Sequence, residues 1–277
     1  MAAAGECTVR VNGLRLRVLT WGAPQHPPVV LLHGGSAHAH WWDFVAGHLA
    51  DRYRLIAPDL RGHGDSEHAD PLTYAIDDYV HDLEGLTWEL GLTRFALVGH
   101  SLGAFVALRF TEQHQALVRR VVIVDGRPRS GQGKRATLVS RLQYLPHPRF
   151  ADAEDAVRRF RLLPSDTSAA PDVLRHVALT GVRPLPDGGL TFKFDRATFA
   201  HYGGLDLSAA IAGLRCPALF VRGSESAFVD ATTLAQMAAL YPQAETAEIG
   251  GAHHHVMLDR PAALAARIHE FFASTLP

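Results

Sequence analysis

The chain opens with two stretches, "TVRV" and "LRLRVLTW", in which apolar and polar residues alternate. A period of two predicts half-buried strands. Asn12-Gly13 between them predicts a two-residue hairpin turn, because both residues tolerate positive φ. The pattern then changes. "PVVLLHG", "YRLIAPDL", "FALVGHS", "RRVVIVDG" and "PALFVRG" are short, unbroken apolar runs. Such runs suit strands of a parallel sheet covered on both faces. Between them the spacing becomes helical. "YAIDDYVHDLEGLTWELG" carries Ile76, Val80, Leu83, Leu86 and Leu90 on one stripe and stops at Gly91. "SLGAFVALRFTEQH" follows "FALVGHS", and "ATTLAQMAALY" and "PAALAARIHEFF" close the chain, the last with Pro261 in its first turn. A hairpin followed by alternating strands and helices predicts a doubly wound, mostly parallel α/β core with an antiparallel N-terminal pair.

Residues 127–205 break the alternation. They hold helical pieces such as "DAEDAVRRFRLL" and "PDVLRHVAL", turns at Pro146, Pro148, Pro164, Pro184 and Pro186, and no stretch that reads as a buried strand. This predicts a core domain of residues 1–126 and 206–277, with a helical cap of residues 127–205 inserted after the sixth core strand. The cap carries 13 Lys+Arg against 7 Asp+Glu, net +6, and the remainder is net −7. A basic cap is compatible with steering an anionic small molecule to a cleft. Equally, opposite charges help a cap dock or simply lie solvated.

Composition narrows the class. Of 277 residues, 47% are hydrophobic and 20% charged, as in an ordinary globule. A net charge of −1 supplies no field for nucleic acid or a membrane surface. Cys7 and Cys216 alone make no disulfide framework. The N-terminus lacks the basic and apolar regions of a signal peptide, and no apolar run reaches the length of a membrane span. A cytoplasmic location is the expectation.

Three motifs carry chemistry. "VGHSLG", Val98 to Gly103, places Ser101 between a strand and a helix as G-x-S-x-G. A serine there sits on a sharp turn, flanked by glycines that leave it room. "VVLLHGGSAHAHWW" places His33-Gly34-Gly35 in a loop after a strand. Backbone N–H groups of Gly35 and Leu102 are candidates to hold an oxyanion. His38 and His40 have a spacing that suggests metal, but no cysteine or carboxylate companion stands out, so no metal is assigned. "EIGGAHHHVMLDRP" supplies a histidine that could take the proton from Ser101.

Together these motifs resemble the α/β-hydrolase superfamily, of the compact capped type. The resemblance rests on "HGG" at 33–35, "APDLRGHGDS" at 57–66, "VGHSLGA" at 98–104, "VIVDGRP" at 122–128 and "GAHHHVMLDRP" at 251–261. It covers roughly residues 8–125 and 206–275. It implies Ser101 as nucleophile and a tight structural loop at Arg61–Gly64. The family's last motif ends in an acidic residue five positions after the histidine and a proline at seven. Counting back from Asp259 and Pro261 makes His254 the base, with His253 in the place of a usual glycine.

The same resemblance leaves the acid in question. Most relatives carry it as Gly-x-x-Asp after the strand "PALFVRG", where this chain has Gly223-Ser224-Glu225-Ser226. Three carboxylates compete. Asp125 ends "VVIVDG", a position some members use; Glu225 is one residue early; Asp230 has a sufficient role as a helix N-cap. Asp125 is preferred and Glu225 is the alternative. The implied function is a serine hydrolase that cleaves a carboxylic ester, thioester or lactone through an acyl-enzyme, without a cofactor. Rival readings are a carbon–carbon bond hydrolase of ring-cleavage products, a cofactor-independent dioxygenase, and a small-molecule receptor. Epoxide hydrolases of this superfamily use an aspartate nucleophile, which Ser101 replaces.

Overall fold

The turn at Asn12-Gly13 forms, with φ of 49° and 83°. It joins β1 (Gly5–Val11) to β2 (Leu14–Trp21) in antiparallel register. The computed structural model describes residues 4–129, 139–201 and 204–274. Strands β3 (Pro28–Leu32), β4 (Arg54–Pro58), β5 (Phe95–His100), β6 (Val118–Val124), β9 (Ala218–Gly223) and β10 (Glu245–Ile249) complete an eight-stranded sheet. Its order is β1-β2-β4-β3-β5-β6-β9-β10, and every pair from β4 to β10 is parallel. The apolar runs are continuous because both faces are covered. In β3, Val30 and Leu32 pack into one hydrophobic cluster and Val29 and Leu31 into the other. On the first face lie α2 (Ile76–Glu89) and α3 (Leu102–Gln113), and on the second α1 (Asp43–Leu49) and α9 (Pro261–Ser274). No helix among the described residues is long and apolar enough to cross a membrane.

The parallel register decides where chemistry can gather. His100 pairs with Val124, Val124 with Val221, and Gly223 with Ile249. The residues that follow β5, β6, β9 and β10 therefore emerge at one edge of the sheet, the carboxyl edge where open α/β sheets build sites.

Between β6 and β9 the chain forms α4 (Ala153–Arg159), α5 (Pro171–Thr180) and α6 (Ser208–Ala212). It also forms a small sheet that the sequence pattern did not predict. β7 (Val182–Pro184) pairs antiparallel with β8 (Leu190–Phe192). Three-residue strands, one ending in proline, leave too little alternation to read. Phe150, Phe192, Phe194 and Phe199 pack in a chain with centroids 5.0–5.7 Å apart, so these aromatics form a local cluster. Arg158 and Arg159 pair with Asp155, and Arg161 donates to the Arg158 and Phe160 carbonyls.

Two buried histidines stiffen the loops at the sheet edge. Leu60 N–H donates to His33 Nε2 at 3.0 Å, so the proton of His33 is on Nδ1, where it reaches the Gly34 carbonyl at 2.7 Å. His63 donates from Nδ1 to the Arg61 carbonyl at 2.9 Å. Arg61 in turn grips Asp82 with two hydrogen bonds of 2.5 and 2.6 Å. Burial pushes His33 down to about 4 and His63 down to about 3. Both are neutral when folded but take a proton near pH 6.5 when unfolded. Their contribution to stability is complete above pH 6.5 and is lost as pH falls toward those values. Each adds up to about 1.4 kcal/mol per pH unit within its window. Urea unfolding between pH 7.5 and 5 should show stability falling on acidification, and less steeply in His63→Gln.

Candidate active site

Gly99 and Gly103 determine the turn after β5. A Cβ on Gly99 would collide with the Gly103 carbonyl, and one on Gly103 with the Leu32 and His33 carbonyls. Ser101 sits between them at φ 52°, ψ −110°, a conformation that a non-glycine residue holds only when its surroundings impose it. Its own N–H is anchored to the Val124 carbonyl at 3.3 Å. Gly103 N–H bonds the His33 carbonyl at 3.1 Å, and Ala104 and Phe105 N–H bond back to the Ser101 carbonyl. That leaves the N–H of Leu102, at the first position of α3, without a protein acceptor among the described residues. Gly35 N–H is likewise without one, in the loop that Gly34 brings against Ser101 and His100.

Asp125 follows β6 at φ 46°, with its N–H bonded to the Val221 carbonyl at 2.7 Å. The side chain is fully buried. Oδ2 lies 2.7 Å from His254 Nδ1, and Oδ1 accepts from Gly223 N–H at 3.1 Å. Ser226, in the position where relatives carry the acid, donates its Oγ–H to Asp125 Oδ2 at 2.7 Å. Ser226 Oγ in turn accepts from Phe228 and Val229 N–H at 3.1 and 3.2 Å. Ser226 thus directs its only proton at the carboxylate. Glu225 is exposed and accepts from the Ser224 hydroxyl at 3.1 Å. Asp230 caps α7 (Ala231–Leu240) by accepting from Thr233 N–H at 2.7 Å.

His254 is reached through a loop clamped from below. Asp259, in the short helix α8 (Val256–Asp259), accepts from His253 N–H at 2.6 Å and from Ser168 N–H at 2.9 Å. With its Nδ1 on Asp125, His254 has Nε2 as the nitrogen turned away from the carboxylate. Phe228 lies against the ring with centroids 4.6 Å apart, and Arg127 stacks over Phe228 at 4.2 Å. His100 donates from Nε2 to the His254 carbonyl at 3.0 Å. His255 donates from Nε2 to the Pro164 carbonyl at 2.9 Å. Burial, then the neighbouring histidines, holds His100 well below its ordinary value, and burial pushes His255 down to about 3. Ser101 itself is 8% exposed.

The residues named from the sequence therefore gather at one edge, where, among the described residues, the side chains of Glu225 and Asp230 bond only to Ser224 and Thr233. The sequence reading passed over His100, Ser226 as a donor, Phe228 and His255. Only the first had a visible signal, as the residue before Ser101. One expectation needs correction. His40 does have a carboxylate companion: the turn from Ala39–Trp42 into α1 brings Asp43 Oδ2 within 2.9 Å of His40 Nδ1. His176 on α5 reaches the same oxygen at 2.7 Å. Burial pushes Asp43 up, but the bonds from His176 and His40 outweigh it and leave the carboxyl below its usual range. His38 stands apart and donates to the Val177 carbonyl at 3.1 Å.

Comparison with known proteins identifies the family. The family model described as the alpha/beta hydrolase fold matches residues 27–261. Epoxide hydrolase A of Mycobacterium tuberculosis is 30% identical, over 98% of each chain. An esterase of the same organism is 32% identical, over 92% of this chain and 85% of its own. The crystal structure of an E-2-(acetamidomethylene)succinate hydrolase superposes with a TM-score of 0.87 at 29% identity, covering 98% of this chain and 100% of that one. On the match of sequence and of fold, the chain belongs to the alpha/beta hydrolase family.

Proposed function

We propose that this protein is a serine hydrolase of small carboxylic esters, thioesters or lactones, acting through an acyl-enzyme. The observation that carries this is the buried 2.7 Å contact between Asp125 Oδ2 and His254 Nδ1 beside the strained turn of Ser101. Asp125 fixes the tautomer of His254, so that Nε2 can accept a proton. Ser101 Oγ attacks the substrate carbonyl as its proton passes to Nε2. The oxyanion that forms takes hydrogen bonds from Leu102 and Gly35 N–H. His254 then returns the proton to the leaving group. Water, deprotonated by the same nitrogen, releases the acid and regenerates Ser101. Ser226 and Gly223 hold Asp125 in place for both halves of the cycle.

An esterase among the relatives supports ester chemistry. The epoxide hydrolase among them does not carry epoxide opening to this chain, because the nucleophile position is Ser101 and not a carboxylate. Residues 127–205 act as a cap over the site in this reading, tied to the core by the bonds from His176, Ser168 and Pro164 to Asp43, Asp259 and His255. An anionic substrate is a second element of the proposal. The net +6 of that segment favours it, as does the succinate named for the superposed structure.

A fluorophosphonate should label Ser101, with steady turnover of short p-nitrophenyl esters and no oxygen consumption. Folded protein that takes no label removes the hydrolase reading, and oxygen uptake favours a dioxygenase. Asp125→Asn should lower kcat by about 10³–10⁴-fold, by the tautomer argument. Glu225→Gln should leave it unchanged. Adding Ser226→Asp to Asp125→Asn restores a carboxylate where relatives carry it, and should recover at least about tenfold of the loss. Ser226→Ala alone removes one hydrogen bond to a carboxylate, worth about 1.5 kcal/mol, and should cost about tenfold in kcat.

A further inference from the structure

Three imidazoles crowd the carboxyl edge of the sheet, and only one has a role in the proposed chemistry. Ring centroids of His100 and His254 are 4.7 Å apart, of His254 and His255 4.9 Å, and of His100 and His255 5.8 Å. One nitrogen from each lies within 4.8 Å of the other two, and all three residues are buried. Hydrogen bonds fix their tautomers. His100 spends its proton on the His254 carbonyl, His255 on the Pro164 carbonyl, and His254 on Asp125. Each ring therefore keeps one nitrogen with a free lone pair: Nδ1 of His100, Nδ1 of His255 and Nε2 of His254. The first two are buried and have no partner among the described residues. Buried acceptors of this kind ordinarily find a donor or a ligand.

We propose that His100, His254 and His255 form a binding site for a divalent transition metal ion, zinc foremost, which switches the hydrolase off by occupying the nitrogen that must accept the Ser101 proton. The site itself does not depend on the catalytic reading; the switching rests on it. Three neutral imidazoles and an open fourth position suit Zn²⁺. Zn–N bonds of 2.0–2.1 Å place tetrahedral nitrogens about 3.4 Å apart, so the rings must draw together, and turn wherever the bonded nitrogen is the one that faces the cluster. Each donor bond to a carbonyl or carboxylate also orients its ring, as the outer partners of metal-bound histidines do. Magnesium and calcium, which prefer oxygen, are not expected to bind.

The second His-containing cluster shows why the first is distinctive. At His40, Asp43 and His176, both nitrogens of His40 and Nε2 of His176 are already bonded. Arg17 donates to His40 Nε2 at 3.0 Å, and Asp43 Oδ2 takes the remaining proton of His40 and one of His176. A metal there would have to displace the Arg17 bond and bind beside a guanidinium. Among the described residues, no cation bonds the nitrogens left free on His100 and His255.

The test uses Co²⁺ as a spectroscopic probe and Zn²⁺ by calorimetry, on the full chain. Ser101→Ala, which removes the proposed nucleophile but none of the ligands, should bind one Co²⁺ with the visible bands of a tetrahedral site. His255→Gln should weaken binding by more than about tenfold, at least the loss seen when an outer partner of a metal ligand is removed. His100→Gln provides the second ligand variant, checked for folding by circular dichroism. In the wild type, Zn²⁺ should abolish ester turnover and a chelator restore it, with His255→Gln resistant. Absence of Co²⁺ binding to Ser101→Ala overturns the site, as does unchanged affinity in folded His255→Gln and His100→Gln. Metal binding with no ester turnover in the metal-free wild type supports the site and rejects the hydrolase reading alone.

Discussion

The carboxylate of Asp125 is the point on which the site's arrangement depends. It is fully buried and receives donors from three segments: Gly223 at the end of β9, Ser226 just after it, and His254 in the loop beyond β10. A buried carboxylate without such partners would be too costly to keep ionised. Here the donors hold together the ends of three neighbouring strands. The parallel register of β5, β6, β9 and β10 makes this possible, since it brings all their carboxyl ends to one edge.

With Asp125 as the proposed acid, Ser226 suggests how an acid could sit on a different strand without rebuilding the site. A carboxylate after β9 and a carboxylate after β6 approach the same imidazole from neighbouring strands. Once one is present, the other would be a like charge at close range, and a hydroxyl is the better neighbour. Ser226 meets that need. It donates to Asp125 and absorbs two backbone N–H groups of the following turn. On the proposed mechanism, its loss should therefore weaken the acid rather than remove it.

Much of this was legible in the sequence, for identifiable reasons. Period-two alternation and Asn12-Gly13 defined the hairpin, and continuous β-branched runs defined the covered parallel strands. The strained turn at Ser101 was legible because Gly99 and Gly103 flank the serine between a strand and a helix, where neither can carry a Cβ. The pairing of Asp125 with His254 came from elimination at Ser226, and in the structure the two lie 2.7 Å apart. What the sequence could not convey was long-range contact that no motif marks. The donation from Ser226 to Asp125 spans 101 residues, and the meeting of His176 with Asp43 spans 133. The pair β7 and β8 was too short to leave a period. His255 looked like a surplus member of a histidine run until its proton was traced to Pro164.

The central claim is that Asp125, and not Glu225, holds the Nδ1 proton of His254. Proton NMR of ¹⁵N-histidine-labelled protein reads that proton directly, as a far-downfield resonance coupled to an imidazole nitrogen. The account predicts the resonance in the wild type and in Glu225→Gln, and its loss or marked upfield shift in Asp125→Asn. A resonance that persists unshifted in Asp125→Asn and vanishes in Glu225→Gln would contradict it.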